Sequence, residues 1–277
     1  SVSSSSSPSS VLQSKLVKNI SCHIRFHVYS PEHGLLLVAL EGDDTGLVPF
    51  KVSDLVKLDR FQVISPLSSS SLNSGGGGGG ATLPPLEPPI QEKELFLVTL
   101  YRKCWCVHVS IYRREMTIFK MTPENNFVKY RVFNIFSQGI SHVTVSDSLL
   151  ILHNHDEKLS MAYDILANQD APVSPPMPIG THHQSQHGDD EDAIEPYSKD
   201  WMLINPNYII DLKHGLIFQL QLDIELMPLS IRNKLDMIKF LSRRTNSKMV
   251  LLKRVKSFIT DHKESLRSIS SIFNLVN

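Results

Sequence analysis

The residues best suited to chemistry fall in four places, and their spacing decides what each can do. His182, His183 and His187 stand beside the acidic run Asp189 to Asp192, a donor set that suits zinc only when an ordered second shell orients the imidazoles. The stretch around them is rich in Pro, Gly and Gln and supplies no such shell, so it reads as a loop. His153 and His155 lie two apart on one face of an expected strand, at its rim. Cys104 and Cys106 also share a face, but no second cysteine pair exists to complete a four-ligand site, which leaves them as small apolar core residues. Gly75 to Gly80 lacks the Lys-Ser/Thr pair that reaches phosphate and magnesium, and no helix follows it. There is no Gly-x-Ser-x-Gly elbow and no His-Glu-x-x-His. The spacing therefore supports no catalytic residue, no cofactor and no metal. A hydrolase assembled from distant segments is the enzymatic alternative left open.

Charge is balanced overall, with 28 basic and 28 acidic residues in 277, so no global field draws the chain to nucleic acid or membrane. The balance is local at the C-terminal end. From Ser230 onward 11 Lys and Arg face three acids, and Arg243, Arg244, Lys248, Lys253, Arg254 and Lys256 are expected to form a basic surface that suits anionic lipid or an acidic protein, unless it is simply a solvated helix face. No aromatic residues interleave these charges as a nucleic-acid stacking platform requires. Three scattered cysteines give no disulfide framework, which fits a reducing, intracellular compartment. No apolar run approaches the length of a membrane span.

The elements that must carry these residues are mostly strands. Residues 1 to 10 are a serine tract read as disordered, and 66 to 94 and 171 to 200 are read as exposed low-complexity insertions because of their glycine and proline clusters. Between them, apolar and polar residues alternate with period two in pairs around turns. Ile24 to Tyr29 pairs with Leu35 to Leu40, Leu95 to Leu100 with Cys104 to Ile111, Ile140 to Val145 with Leu149 to His153, and Asn207 to Leu212 with Leu216 to Leu222. With the insertions left out, the turns at His33, Lys103, Asp147 and His214 are spaced by about 41, 44 and 37 residues, the length of a propeller blade. The expected fold is mainly β: a partial β-propeller of WD40-like blades over 11 to 227, followed by the start of a helical region over 228 to 277. No Trp-Asp dipeptide closes a hairpin, and a β-sandwich stays as the competing architecture. The first residue is Ser, and few blades are present, so a piece of a longer chain is expected.

After Pro228 the period becomes helical. Ile231, Leu235, Ile238 and Leu241 recur on one face of a helix expected from Leu229 to Arg243, a candidate face for docking a partner or the tail. Met249 to Val255 fits strand or helix. Asp261 and Glu264 are spaced as a capping box before Leu266, Ile269, Ile272, Phe273 and Val276.

The string SKDWMLINPNYIIDLKHGLIFQLQLDIELM, from Ser198, followed by DMIKFLSRRTNSKMVLLKRV and SLRSISSIFNLVN, resembles the last propeller blade and the propeller–helix junction of the regulator of the Mon-one/Ccz-one complex, also called the Mic-one or colon-cancer-associated family. ISHVTVSDSLLILHNHDEKLSMAYDI is similar to the preceding blade, and the likeness covers about residues 95 to 277. Trp201, Asn205-Pro206, His214-Gly215, Met249 and Phe273 stand in the family's order. The resemblance implies a non-catalytic scaffold subunit of a guanine-nucleotide exchange complex that acts on the late-endosomal Rab GTPase. Its partners would be Mon-one and Ccz-one homologues. Its place would be cytoplasmic, peripheral on late-endosomal, lysosomal and autophagosomal membranes through the complex. A different trafficking scaffold of propeller plus helical repeats, such as a coat or tethering subunit, is the alternative.

Overall fold

The computed structural model describes residues 19–64, 88–136, 139, 141–180, 197–198, 201–204, 206–260, 270, 272 and 274. The histidine and aspartate cluster at 182–192, the glycine run and the expected capping box at Asp261 lie outside them.

Alternation of apolar and polar residues produces four antiparallel sheets, each built from consecutive strands. The first holds β1 (Ile24–Ser30), β2 (Leu35–Leu40), β3 (Gly46–Lys51) and β4 (Val56–Lys57), with β5 (Phe61–Gln62) also paired to β3. The second is β6 (Leu95–Leu100), β7 (Lys103–Ser110), β8 (Glu115–Met121) and β9 (Phe127–Asn134). The third is β10 (Ser141–Ser146), β11 (Leu149–Asn154) and β12 (Leu159–Tyr163), and the fourth is β13 (Trp201–Ile204), β14 (Tyr208–Asp211) and β15 (Leu216–Gln219). The leading strand of each sheet lies beside the leading strand of the next: β1 by β6, β6 by β10, β10 by β13.

The faces between sheets are filled by the alternating apolar residues. Leu37, Leu47, Cys104, Cys106, Phe119 and Phe127 pack between the first and second sheets. Val107, Ile118, Phe133, Val143, Leu152 and Tyr163 pack between the second and third. Each buried Leu, Ile, Val or Phe contributes roughly 1.5–3 kcal/mol, and the two cysteines are buried among them.

The four expected hairpins are all present, but one occupies a different position in its sheet. The turns at His33, Lys103 and Asp147 join the first and second strands of their sheets, whereas His214 sits between the second and third. Trp201–Ile204 supplies the missing first strand, and its turn to β14 runs through Pro206 and Asn207. The interval from the Asp147 turn to the matching turn at Pro206 and Asn207 is therefore shorter than the interval to His214. The margins of both proline-rich stretches are also packed. Ile90 is buried in the core between the first two sheets, Met177 bridges Ser160 on the edge strand β12, and Val173 is buried against the helices.

The helical region starts later than expected. Met227–Ser230 forms a 3-10 turn with Pro228 in its first turn, the chain then extends, and Asn233 caps α1 (Lys234–Ser242) by accepting from the Leu235 and Asp236 amides. An Asn side chain that satisfies two orphan donors fixes the start there. The run from Met249 to Val255 is helical, inside α2 (Lys248–Thr260). No described helix is long and apolar enough to cross a membrane.

Candidate interaction site at the junction of sheets and helices

Two tight turns build this junction. Tyr101 and Arg102 link β6 to β7 with φ of 49° and 61°, and Asp147 and Ser148 link β10 to β11 with φ of 47° and 62°. Positive φ at both central residues is the geometry that matches the twist of a two-residue hairpin. Both turns present their first residue to the same arginine.

Arg244, just past the end of α1, is enclosed with its partner Asp164: both side chains are 0% exposed, and Nη2 donates to Asp164 Oδ2 at 2.7 Å. Nη2 also donates to the Tyr101 hydroxyl, and Nη1 to the Asp147 carbonyl. The Tyr101 hydroxyl donates in turn to Asp164 Oδ1 at 2.8 Å. Burial and then the Asp164 charge push the Tyr101 phenol well above its ordinary range, which keeps it a neutral donor. The guanidinium plane lies over the rings of Phe240 and Tyr101 at 4.8 and 5.6 Å. Thr245 closes the contact by donating its amide and hydroxyl to the Asp147 carboxylate, each at 2.7 Å. A buried ion pair offsets its desolvation only when the remaining donors and acceptors are filled, and here carbonyl, phenol and carboxylate fill them.

Beside this pair runs a cleft of about 110 Å³ between α1 and the chain that follows β12, with Ile231, Asn168, Asp236, Lys239 and Arg243 among its walls. Lys239 pairs with Asp236 at 3.3 Å, Asn168 donates to Asp236 at 3.1 Å, and Arg243 donates to the Leu166 carbonyl at 3.0 Å. Each of these polar groups has its partner within the wall. The cleft is a seam that holds helix to sheet, and it offers no convergent acid, base and nucleophile.

The face expected for docking divides in two. Leu241, with Phe240 and Ile231, packs on Leu149, Ala162 and Val173 of the third-sheet region. Ile238 and Leu235 turn the other way, to Phe258 and Val255 of α2 and to Ile272. The chain itself thus covers this face. Of the expected basic surface, Arg244 is a correction: it is interior, because Asp164 and two turns hold it there. Arg243 and Arg254 are half-buried, and Lys248, Lys253 and Lys256 are exposed. Asp164, Tyr101 and Asp147 were not singled out from the sequence. The available signal was Asp164 itself, a lone carboxylate between Tyr163 and Ile165 in an otherwise apolar run.

His153 is a second correction, for it is 0% exposed and not at a rim. Its ring bridges Thr144 Oγ1 and Ser160 Oγ, both at 2.7 Å, and Ser160 meets the Tyr197 hydroxyl. Burial, then the nearby His142 and His155, push its pKa down to about 3. Ser160 and His153 have the distance of a nucleophile and its base, yet Ser160 is buried and its hydroxyl is shared with Tyr197. These groups cross-link the third sheet. Among the described residues no three His, Cys, Asp or Glu converge as metal ligands.

No protein-family model matches the chain. It is 21% identical to the human "Regulator of MON1-CCZ1 complex" over 287 positions, covering 95% of this chain. It is 20% identical to the mouse protein of the same name over the same share. The chain spans 42% of the length of each of these curated relatives. The family that the strings around Trp201 and Met249 resemble is therefore that of the curated relatives, and the likeness extends beyond residues 95 to 277 to nearly the whole chain.

Proposed function

We propose that this chain is part of a non-catalytic scaffold subunit of a MON1-CCZ1-type guanine-nucleotide exchange complex acting on the late-endosomal Rab GTPase. It would support endosome maturation, autophagy and lysosomal delivery from the cytoplasmic face of those membranes. The observation that carries the reading is the match of 95% of the chain to proteins named as regulators of that complex. The architecture is consistent with it. Four sheets with their leading strands side by side are how blades of a β-propeller are arranged. The fourth sheet leaves Met202, Tyr208 and Ile217 exposed on one face, at 47, 40 and 69%, as a blade does before its neighbour closes on it.

In this reading the Arg244 pair fixes the angle at which the helical region leaves the propeller. Partner proteins then meet a rigid two-part surface. Affinity purification of the full-length protein from its own cells should recover both MON1 and CCZ1 homologues. Recovery of coat or tethering subunits in their place would replace the proposal with the alternative scaffold. The purified chain alone should leave nucleotide release from the Rab unchanged, and acceleration by the chain alone would overturn the non-catalytic assignment.

A further inference from the structure

We propose that the outward face of α2 seats directly on an anionic lipid surface. Helix α2 is apolar on two sides. Leu251, Val255 and Phe258 are covered by α1 and its neighbours. Met249, Leu252 and Ile259 are not, with 76, 47 and 40% of their surface exposed. At 3.6 residues per turn those three positions fall within an arc of about 80°. Lys256 lies inside that arc, and Lys248 and Lys253 flank it.

The charge of this helix has one sign. Lys248–Thr260 contains Lys248, Lys253, Arg254 and Lys256 and no acidic residue. None of Lys248, Lys253 or Lys256 forms an ion pair with a described residue. Helix α1 differs, since its Lys239 is paired with Asp236. An acidic protein surface would satisfy the lysines but give no reason to leave Met249, Leu252 and Ile259 bare beside them. A bilayer of anionic lipid satisfies both, because headgroup phosphates take the ammonium ends while the lysine stems and the three apolar side chains enter the boundary of the acyl region. This inference does not depend on which protein complex the chain joins, so its failure and that of the proposed function are separable.

Co-sedimentation of the whole purified chain with vesicles tests it. Binding should appear with equimolar phosphatidylcholine and phosphatidylserine, be lost with phosphatidylcholine alone, and weaken as salt is raised. Lys253→Gln and Lys256→Gln should each lower binding about five-fold. Met249→Ser and Leu252→Ser should each lower it about ten-fold, with the thermal melt unchanged because both residues are exposed. The proposal is overturned by equal binding to both vesicle types, or by variants that bind like the parent. It is also overturned if vesicles are not bound and the lysine variants instead lose an acidic protein partner.

Discussion

Arg244 and Lys253 belong to the same basic stretch, nine residues apart, and the protein uses them in opposite ways. Arg244 turns inward and is fully enclosed by Asp164, Tyr101 and Asp147, which come from two different sheets. Lys253 stands on α2 in solvent, one turn from the bare side chain of Met249 and next to that of Leu252. The inward cation is held where the sheets supply a carboxylate, a phenol and a carbonyl at its height. Among the described residues the outward one meets no such element. The start of the helical region is thus a fixed joint, whereas Met249, Leu252 and Ile259 of α2 are exposed.

The sharpest way to break this contrast is Arg244→Met. It leaves the Asp164 carboxylate buried without its counter-charge, and the expected loss is about 3–5 kcal/mol in urea unfolding. The double variant Asp164→Leu, Arg244→Met should recover most of that loss, because an apolar pair no longer carries a buried charge. A single-variant loss below about 1 kcal/mol would show that water reaches the pair and that the joint is not fixed.

Next in size is Ile238→Ala on the part of α1 that meets α2. Ile238 is 0% exposed between Phe258 and Ile272, so truncation should cost about 2–5 kcal/mol. Arg232→Asp, on the exposed approach to α1, should stay within about 0.5 kcal/mol. Equal effects in chemical denaturation would mean that the tail does not dock on this face.

How far these regions were legible in the sequence follows from the range of the forces. Strand pairs such as Ile24 to Tyr29 with Leu35 to Leu40 were readable, because alternation is written in neighbouring residues. The same pattern could not fix where each sheet begins. The short strand at Trp201–Ile204 follows residues outside any clear alternation, so alternation alone makes the turn at His214 look like the first of its sheet. The joint was harder still. Tyr101, Asp147, Asp164 and Arg244 are spread over more than half of the chain, and neither Tyr-Arg nor Asp-Ser is the Asn-Gly or Asp-Gly pair that announces a two-residue hairpin. The inward turn of Arg244 depends on all three partners, none of which is near it in sequence.

Buried histidines of the second and third sheets offer a milder test by pH. Burial lowers the pKa of His153 to about 3 and that of His108 to about 4, so both are neutral when folded, while the unfolded chain takes up protons below about 6.5. The unfolded state therefore binds more protons between those limits, and stability falls as pH drops through this window. Each histidine contributes about 2 kcal/mol of loss by pH 5. Glu94, whose pKa is raised by burial, opposes this only as its carboxyl begins to protonate. The urea midpoint measured at pH 7 and pH 5 should differ less in His153→Gln than in the parent, and an unchanged difference would remove His153 from the buried network.

The smallest effect compares two ion pairs beside one cleft. Lys239 and Asp236 are 3.3 Å apart with about a third of each side chain exposed, whereas Arg244 and Asp164 are 2.7 Å apart with none. Water already solvates the first pair, so its partners lose little when separated. Asp236→Ala should cost roughly 0.2–1 kcal/mol, with the hydrogen bond from Asn168 included, and the cost should shrink as salt is added. The loss caused by Arg244→Met should hardly respond to salt, since counter-ions cannot enter a closed interior. Denaturation of both variants at low and high ionic strength measures the two slopes side by side. Equal slopes would mean that the joint is as open to solvent as the surface of α1.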